Sequence, residues 1–484
     1  MPLSATTLSI GGSDSSTNCA PATYLSAGRR SQRRSVRGVL PTISPVDSVH
    51  AQPSRSCRNG VTRYAPSRGL AKRAWLRGGE DMKVVLTTPG RFHTFALARE
   101  LHAAGHLSAI VSGFPWAQVQ RENVPRKLVK TFPFVTLIRF GLGRIGLAHE
   151  RANLVLDDFR AMALDRYARR WARDADIYMA LSGSGLRTGL SVKRRGGVYI
   201  CDRGSTHILF QKRILEQEAA RFGAPAPMFS AKKIRRELAE YEAADAITVP
   251  SEFVRRSFIA EGVSPDKVHK VPYGSNIDAF FPSGGPPKDS FEVLFVGGIS
   301  LRKGVPDLFS AFELLRHPRK RLTIVGSPTS ETPLITRLAP DGVRFVGHLS
   351  SANLKDIMSR SHVMVLPSVE EGLALVMGEA LACGCPVVAS ENTGATDLFT
   401  DGEEGFILRA RDADTFADRL QRLADDPNLQ GRMARAARMR MTTLRGWGAY
   451  GDQMISLYKQ ILERKSTNSA RAAERLSDET PCIT

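Results

Sequence analysis

An apolar strand that ends in a glycine turn and feeds a helix occurs twice in this chain, and that repetition constrains the fold more than any other feature. The first instance is Met82-Lys83-Val84-Val85-Leu86-Thr87, followed by the turn Thr88-Pro89-Gly90 and a helical period from Phe92 to Ala103. Leu107 to Val111 reads as the next strand. Strand, turn, helix, strand is the signature of a parallel sheet. Further strands are expected at Ile177–Leu181, Gly197–Cys201 and Ala246–Pro250. The rhythm restarts at Phe291–Val296, with the turn Gly297-Gly298 and a helix from Pro306 to Leu315. Strands follow at Leu322–Val325, Val343–Val346, His362–Leu366, Pro386–Ala389 and Phe406–Leu408. The predicted class is α/β: two doubly wound domains facing a central cleft, where open parallel sheets bind ligands.

The expected organisation is a basic leader at 1–81, an amino-terminal half at 82–271, and a linker at 272–290 marked by Pro and Gly. A second half at 291–445, a carboxyl-terminal helix at 446–464 and a loose polar tail at 465–484 complete it. The leader is rich in Ser, Arg, Pro and Gly and lacks apolar periodicity, a composition that does not offset the entropy of ordering. Its Arg content and few acids suit an organelle transit peptide. The preferred reading is an upstream over-extension of a bacterial reading frame. Gly78-Gly79-Glu80-Asp81 can be encoded by a purine-rich ribosome-binding sequence, and Met82 opens an apolar strand.

Among 484 residues there are 68 Lys and Arg against 48 Asp and Glu, a net charge of +20. Such a field favours anionic partners. The leader holds +8 of it, twelve cations against four acids. No apolar run approaches the ~18 residues of a membrane-spanning helix. Six scattered cysteines do not make a disulfide framework. These features exclude a channel, a fibre and a cystine-stapled module. Cys383 and Cys385 lack a second Cys/His pair at ligand spacing, so no metal site is expected. Nor does any nucleic-acid-binding signature appear. The run from Arg126 to Ile145 interleaves cations with apolar and aromatic residues, a pattern that suits either an anionic membrane surface or an ordinary core helix.

The chemistry concentrates at Pro367-Ser-Val-Glu-Glu371-Gly372, the end of a strand, followed by a helix expected to run from Gly372 to Cys383 and stop at Gly384. The amides at such a helix start are a ready phosphate site. Glu371 and Glu379, eight apart, would be roughly 12 Å apart along a helix. That is too far for the ~5.5 Å pair of a retaining glycosidase. It suits two ends of one elongated ligand.

This segment resembles the E-x7-E region of the GT-B glycosyltransferases, specifically their retaining family 4. Phe295-Val-Gly-Gly-Ile-Ser-Leu-Arg-Lys303-Gly304 is similar to that family's diphosphate loop, and Val271-Pro-Tyr-Gly274 to its linker motif. Val343-Arg-Phe-Val-Gly347-His-Leu is similar to its base-pocket strand, and Thr393-Gly394-Ala-Thr-Asp397 to its glycine-rich loop. The resemblance implies a GT-B fold of two Rossmann-like domains and a nucleotide-sugar donor. It also implies transfer with retention and without a bound metal, to a glycan, lipid-linked or small-molecule acceptor.

By the same resemblance, Glu379 grips the ribose, Glu371 the transferred sugar, and the amides of Gly372, Leu373, Ala374 and Leu375 the diphosphate. Lys303, Arg302, Gly297 and Gly298 complete the donor site. Gly298 stands where the family has Arg, and Asp397 where Glu is common. No His ends the strand at Asp202, so His207 is the expected catalytic His, with Gly90, His93 and Arg203 as acceptor-side candidates. The expected location is the cytoplasm, with peripheral contact at the inner face of an anionic membrane. A GT-B protein that only binds or epimerises a nucleotide-sugar, and a nucleic-acid-binding protein, remain alternatives.

Overall fold

The computed structural model describes residues 82–134, 136–138, 150–444 and 446–478. The leader before Met82 lies outside the described residues, as do Arg139 and Arg144 of the cationic run. In the first half, β1 (Val84–Thr88), β2 (Leu107–Ser112), β3 (Val129–Thr131), β4 (Ile177–Leu181), β5 (Val198–Asp202), β6 (Ala246–Val249) and β7 (Val268–Lys270) form one sheet. Its order is β3-β2-β1-β4-β5-β6-β7 and its pairings are parallel. The second half contains β8 (Phe291–Val296), β9 (Lys320–Val325), β10 (Val343–Gly347), β11 (Val363–Leu366), β12 (Val387–Ser390) and β13 (Gly405–Leu408). They order as β10-β9-β8-β11-β12-β13, again parallel. The central strands are mostly buried and mostly apolar, as expected of sheets covered by helices on both faces.

Both sheets reverse their order at one point, between β1 and β4 and between β8 and β11. Loops leaving neighbouring strands diverge there and open a crevice at the carboxyl ends. The Gly297-Gly298 turn leaves β8 and the Glu370-Glu371 loop leaves β11, so the sheet itself brings these two segments together.

Three expectations are corrected. The cationic run is not one amphipathic helix: Arg126–Leu128 is a single 3-10 turn and Val129–Thr131 is an edge strand. The helix after Glu371 spans only Leu375–Ala382. The carboxyl-terminal helix does not stop before 465, because it runs from Gly446 to Asp478. Lys465 continues it, and its Nζ donates to the Gly197 carbonyl at 2.5 Å.

That last helix crosses back to the first half. Tyr450, Met454, Leu457, Tyr458 and Ile461 join Leu86, Phe95 and Leu101 in one apolar cluster. The two crossings between the halves run against each other, since a Cβ on Gly274 would meet the backbone of Gly446 and Trp447. Cys383 and Cys385 are buried at the end of the Leu375 helix.

Candidate active site

Two loops build the site. After β8 the chain makes a 3-10 turn at Leu301–Lys303 and enters the helix Val305–Leu314 through Gly304, whose φ is +67°. Only glycine fits there: a Cβ would also strike the carbonyl of Pro367. The second loop, leaving β11, is stitched to the first by the Val369 amide, which donates to the Arg302 carbonyl at 2.9 Å. In this arrangement the Lys303 ammonium pairs directly with the Glu371 carboxylate. Lys303 Cε lies 3.7 Å from the position of a Cβ on Gly297. Lys303, Gly297 and Glu371 therefore share one spot in the crevice.

Arg302 faces the other way. Its guanidinium reaches Glu370 Oε2 at 3.0 Å and the Glu370 carbonyl at 3.1 Å, with Glu371 at 3.7 Å. It holds the acidic loop rather than facing the open spot beside Gly297.

Sequence reasoning missed Glu370, which is fully buried. Its Oε1 accepts from Ser205 Oγ at 2.7 Å, the Thr206 amide at 3.0 Å and Thr206 Oγ1 at 2.8 Å. Gln211 Nε2 donates to Oε2 at 3.3 Å. These four donors belong to the first half, so one carboxylate ties the two halves together beside the donor loops. Burial works against its charge, but the Arg302 cation and the Ser205 and Thr206 hydrogen bonds outweigh that and hold the carboxyl at about 2. Nothing in the local spacing of Glu370 signals this role, because its partners lie far back in the chain.

Gly372 packs against the first half as closely: a Cβ there would strike the Gly204 carbonyl. Its own carbonyl accepts from Ser251 Oγ at 2.6 Å, and the Ala374 amide donates to the Thr393 carbonyl at 3.1 Å. These bonds claim the groups that a longer helix would need, which explains its late start at Leu375. The resemblance assigned four amides to a diphosphate, and Ala374 is already spent. Among the described residues, the amides of Gly372, Leu373 and Leu375 donate to no protein acceptor. Ala374 at the N-cap has no side chain to cap them. Glu371 precedes the helix, so the distance along a helix to Glu379 does not apply. Glu379 is half-buried, and burial pushes its carboxyl up to about 7.

On the facing half, His93 follows the Gly90 turn and is buried. Its Nε2 lies 2.6 Å from Asp202 Oδ2, and its ring stacks on Tyr273 with centroids 4.0 Å apart. Thr248 Oγ1 fixes the other Asp202 oxygen at 3.0 Å. Asp202 ends β5, so a His does stand at that strand end, supplied by the first helix. Gly204 lies close by, with His93 Cε1 3.8 Å from where its Cβ would be.

His207 and Arg203 are placed otherwise than expected. His207 caps the helix Ile208–Arg221, its Nδ1 accepting from the Leu209 amide at 3.4 Å, and it packs between Tyr241 and Phe258. Burial pushes its pKa down to about 4, so it is neutral and walled off from the crevice. Arg203 is likewise buried. It donates to Glu237 at 2.7 Å, Gln211 at 2.9 Å and the Thr206 carbonyl at 3.0 Å. Arg203 shapes the loop that receives Glu370 instead of offering its charge to an acceptor.

The Gly183–Gly185 turn after β4 is a second candidate anion cradle, already filled from within. Glu240 accepts from the Gly183 amide, from the Gly185 amide at 2.8 Å and from the Leu186 amide at 3.1 Å. Asp397, the departure from Glu, caps the helix of the first half that begins at Glu252, at 2.8 Å, and pairs with Lys270 at 2.7 Å.

Residues 276–440 match the family model described as glycosyl transferases group 1. The chain is similar to the glycogen synthase of Mycobacterium tuberculosis, with 36% identity over 173 residues. That match covers 34% of this chain and 42% of the relative, so the chain spans well under half of that protein. Among solved structures, it is similar to sucrose-phosphate synthase from Thermosynechococcus elongatus, with a TM-score of 0.59 and 21% identity over 79% of this chain and 100% of that one. A second is the HepE protein of Anabaena in complex with UDP and glucose, with a TM-score of 0.57 and 16% identity over 78% of this chain and 100% of that one. With two parallel sheets and solved structures of the same architecture, the chain has the GT-B fold, and its residues 276–440, on the second sheet, are similar to the glycosyl transferases group 1 family.

Proposed function

We propose that the chain transfers a sugar from a nucleotide-sugar to an acceptor hydroxyl, with retention of configuration. The observation that carries this reading is the spot where Lys303, paired with Glu371, faces Gly297 beside the unclaimed amides of Gly372, Leu373 and Leu375. A diphosphate settling there gains fixed donors and a cation, and Glu371 is released toward the sugar. The bond from the anomeric carbon to the diphosphate oxygen breaks, and the acceptor oxygen bonds to that carbon from the same face. The acceptor proton passes to the leaving phosphate. Charge grows on the diphosphate during this step, so Lys303 and the amides act where preorganised electrostatics matter most.

On the acceptor side, Asp202 accepts a hydrogen bond from His93 Nε2 and so fixes the ring, which lines the place where the acceptor would sit. Peripheral contact with an anionic membrane in the cytoplasm belongs to the same proposal.

The first test is thermal stabilisation by UDP, GDP and ADP and their sugars. UDP is the expected ligand, because the similar HepE structure contains it. A ligand at 100 times its dissociation constant adds about 2.7 kcal/mol to the fold. No shift of the melting curve with any of these ligands would refute the proposal.

Glu379 supplies a second test. It offers a ribose two acceptor atoms in its charged form and fewer when protonated. With its carboxyl at about 7, the donor KM is expected to fall as pH rises through 7 and then to level off. Glu379→Gln should raise the donor KM, leave kcat nearly unchanged and flatten that dependence, the signature of binding that is equal in ground and transition states. A pH-dependent KM that survives in the variant would assign the titration to another group.

A further inference from the structure

The helix Glu150–Ala168 carries a face that no described residue covers. From residue 153 onward its exposed positions are Val155, Phe159, Met162 and Arg166, spaced by four, three and four. That spacing puts them on one side of a helix. Val155 is 69% exposed and Phe159 55%. Three acids of the helix are engaged elsewhere: Asp157 pairs with Arg160 at 3.3 Å, Asp158 is buried and accepts from Ser230, and Asp165 is buried and accepts from the amides of Arg187 and Thr188. Those amides start the helix that follows β4, so the exposed face is pinned to the cleft edge of the first sheet.

A second apolar group stands at the same edge. Phe134, Leu137 and Ile138 follow β3 and are more than half exposed. Thr136 between them is buried and donates to the Gly113 carbonyl at 2.7 Å. Gly113 in turn packs on Pro89, one residue before the Gly90 turn that leads to His93. The two groups are joined by ring contacts, Phe134 edge-on to Phe132 at 5.4 Å and Phe132 stacked on Tyr167 at 4.9 Å.

Beyond Arg166 the surface becomes cationic, with Arg169, Arg170 and Arg173 exposed around Trp171. Burial first, and then the charge of Arg169, hold neighbouring Arg195 below the usual arginine range, while exposed Asp174 at the same edge opposes that shift.

We infer that this face of the first half lies on an anionic lipid bilayer and turns the mouth of the cleft toward a lipid-borne acceptor; the acceptor part rests on the transferase reading above. Apolar side chains beside arginines match the acyl boundary and the acidic headgroups of such a surface. A second copy of the chain would set arginine against arginine, and the leader, itself at +8, matches no better.

The test is co-sedimentation of the full chain with vesicles of phosphatidylcholine alone or with phosphatidylglycerol added. The wild type should partition to the anionic vesicles only and be released as salt screens the attraction. Val155→Asp with Phe159→Asp should lower partition roughly tenfold or more. Arg166→Ser with Arg170→Ser should lower it roughly 30-fold, at about fivefold per charge. Both variants should still be stabilised by UDP, which shows that they fold. Equal sedimentation of wild type and variants, equal binding to neutral and anionic vesicles, or a wild-type dimer that the aspartates convert to monomer would each overturn the inference. The two readings fail separately. UDP stabilisation without vesicle binding removes the docking surface alone. Vesicle binding without UDP stabilisation removes the transferase reading and leaves the docking surface standing.

Discussion

Lys303→Ala is expected to lower kcat by roughly 10²–10³-fold, the effect of losing one preorganised donor to developing negative charge. The donor KM should change little, because the Lys303 contact strengthens only as the diphosphate departs. Gly298, beside Lys303 on the same loop, has no side chain to share the task. Arg302, the nearest other cation, is held by Glu370. The geometry allows a direct check by repair. At Gly298 the nearest atom to an added Cβ is Thr329 Cγ2, at 3.5 Å, which is ordinary contact. The backbone at Gly298 therefore accepts a Cβ without a clash, and Gly298→Arg added to Lys303→Ala should restore part of the rate. Steady-state kinetics on the two variants and the wild type measure both effects. Near-normal turnover in Lys303→Ala would remove this residue from the mechanism.

Glu370→Ala is expected to cost about 3–5 kcal/mol of stability, the usual penalty for removing one partner from a buried, hydrogen-bonded ion pair. Arg302 would lose its carboxylate, and Ser205, Thr206 and Gln211 would lose an acceptor at once. Glu370→Gln keeps an oxygen for some of these donors but sets an NH₂ group against the rest, so a smaller loss is expected. Denaturant unfolding monitored separately in each half would reveal a further consequence. The halves should unfold together in the wild type and at different denaturant concentrations in Glu370→Ala. The pH dependence follows from the carboxyl, held at about 2 against an ordinary 4.5. A lowered carboxyl stabilises the fold fully above 4.5, and the contribution is lost as pH falls from there toward 2. Acid unfolding of the wild type should therefore steepen in that window, and Glu370→Gln should not show the same steepening.

The long strands were legible in the sequence because each is an apolar run bounded by Gly or Pro. The shortest ones were not. β3 reads Val-Lys-Thr and β7 reads Val-His-Lys, three residues with a cation apiece, which is how sheet edges are protected rather than how buried strands look. Lys303 and Glu371 stand on loops whose places follow from the strands before them, and the two meet. Glu370 was not legible, since its meaning depends on Ser205 and Thr206, which reach it only once both halves have folded. The two histidines show the same limit. His207 follows a strand and a loop as a functional residue would, yet packing turns it inward between two aromatic rings. His93 sits in an unremarkable helical register, and the sheet order alone brings it to Asp202.

The return of the last helix to the first half has a consequence for how the protein is made. Domains generally fold in order as they leave the ribosome, but here the first one cannot finish first. The face formed by Leu86, Phe95 and Leu101 stays uncovered until Tyr450 to Ile461 arrive, whereas β8 to β13 are complete well before the chain ends. A nascent chain thus carries an open apolar surface through nearly the whole of translation, and a premature stop anywhere before Gly446 strands it in that state. A product that stops between 440 and 446 would keep the matched segment 276–440 but leave the apolar face of the first half open, which makes it a chaperone client or a protease substrate and not a smaller enzyme.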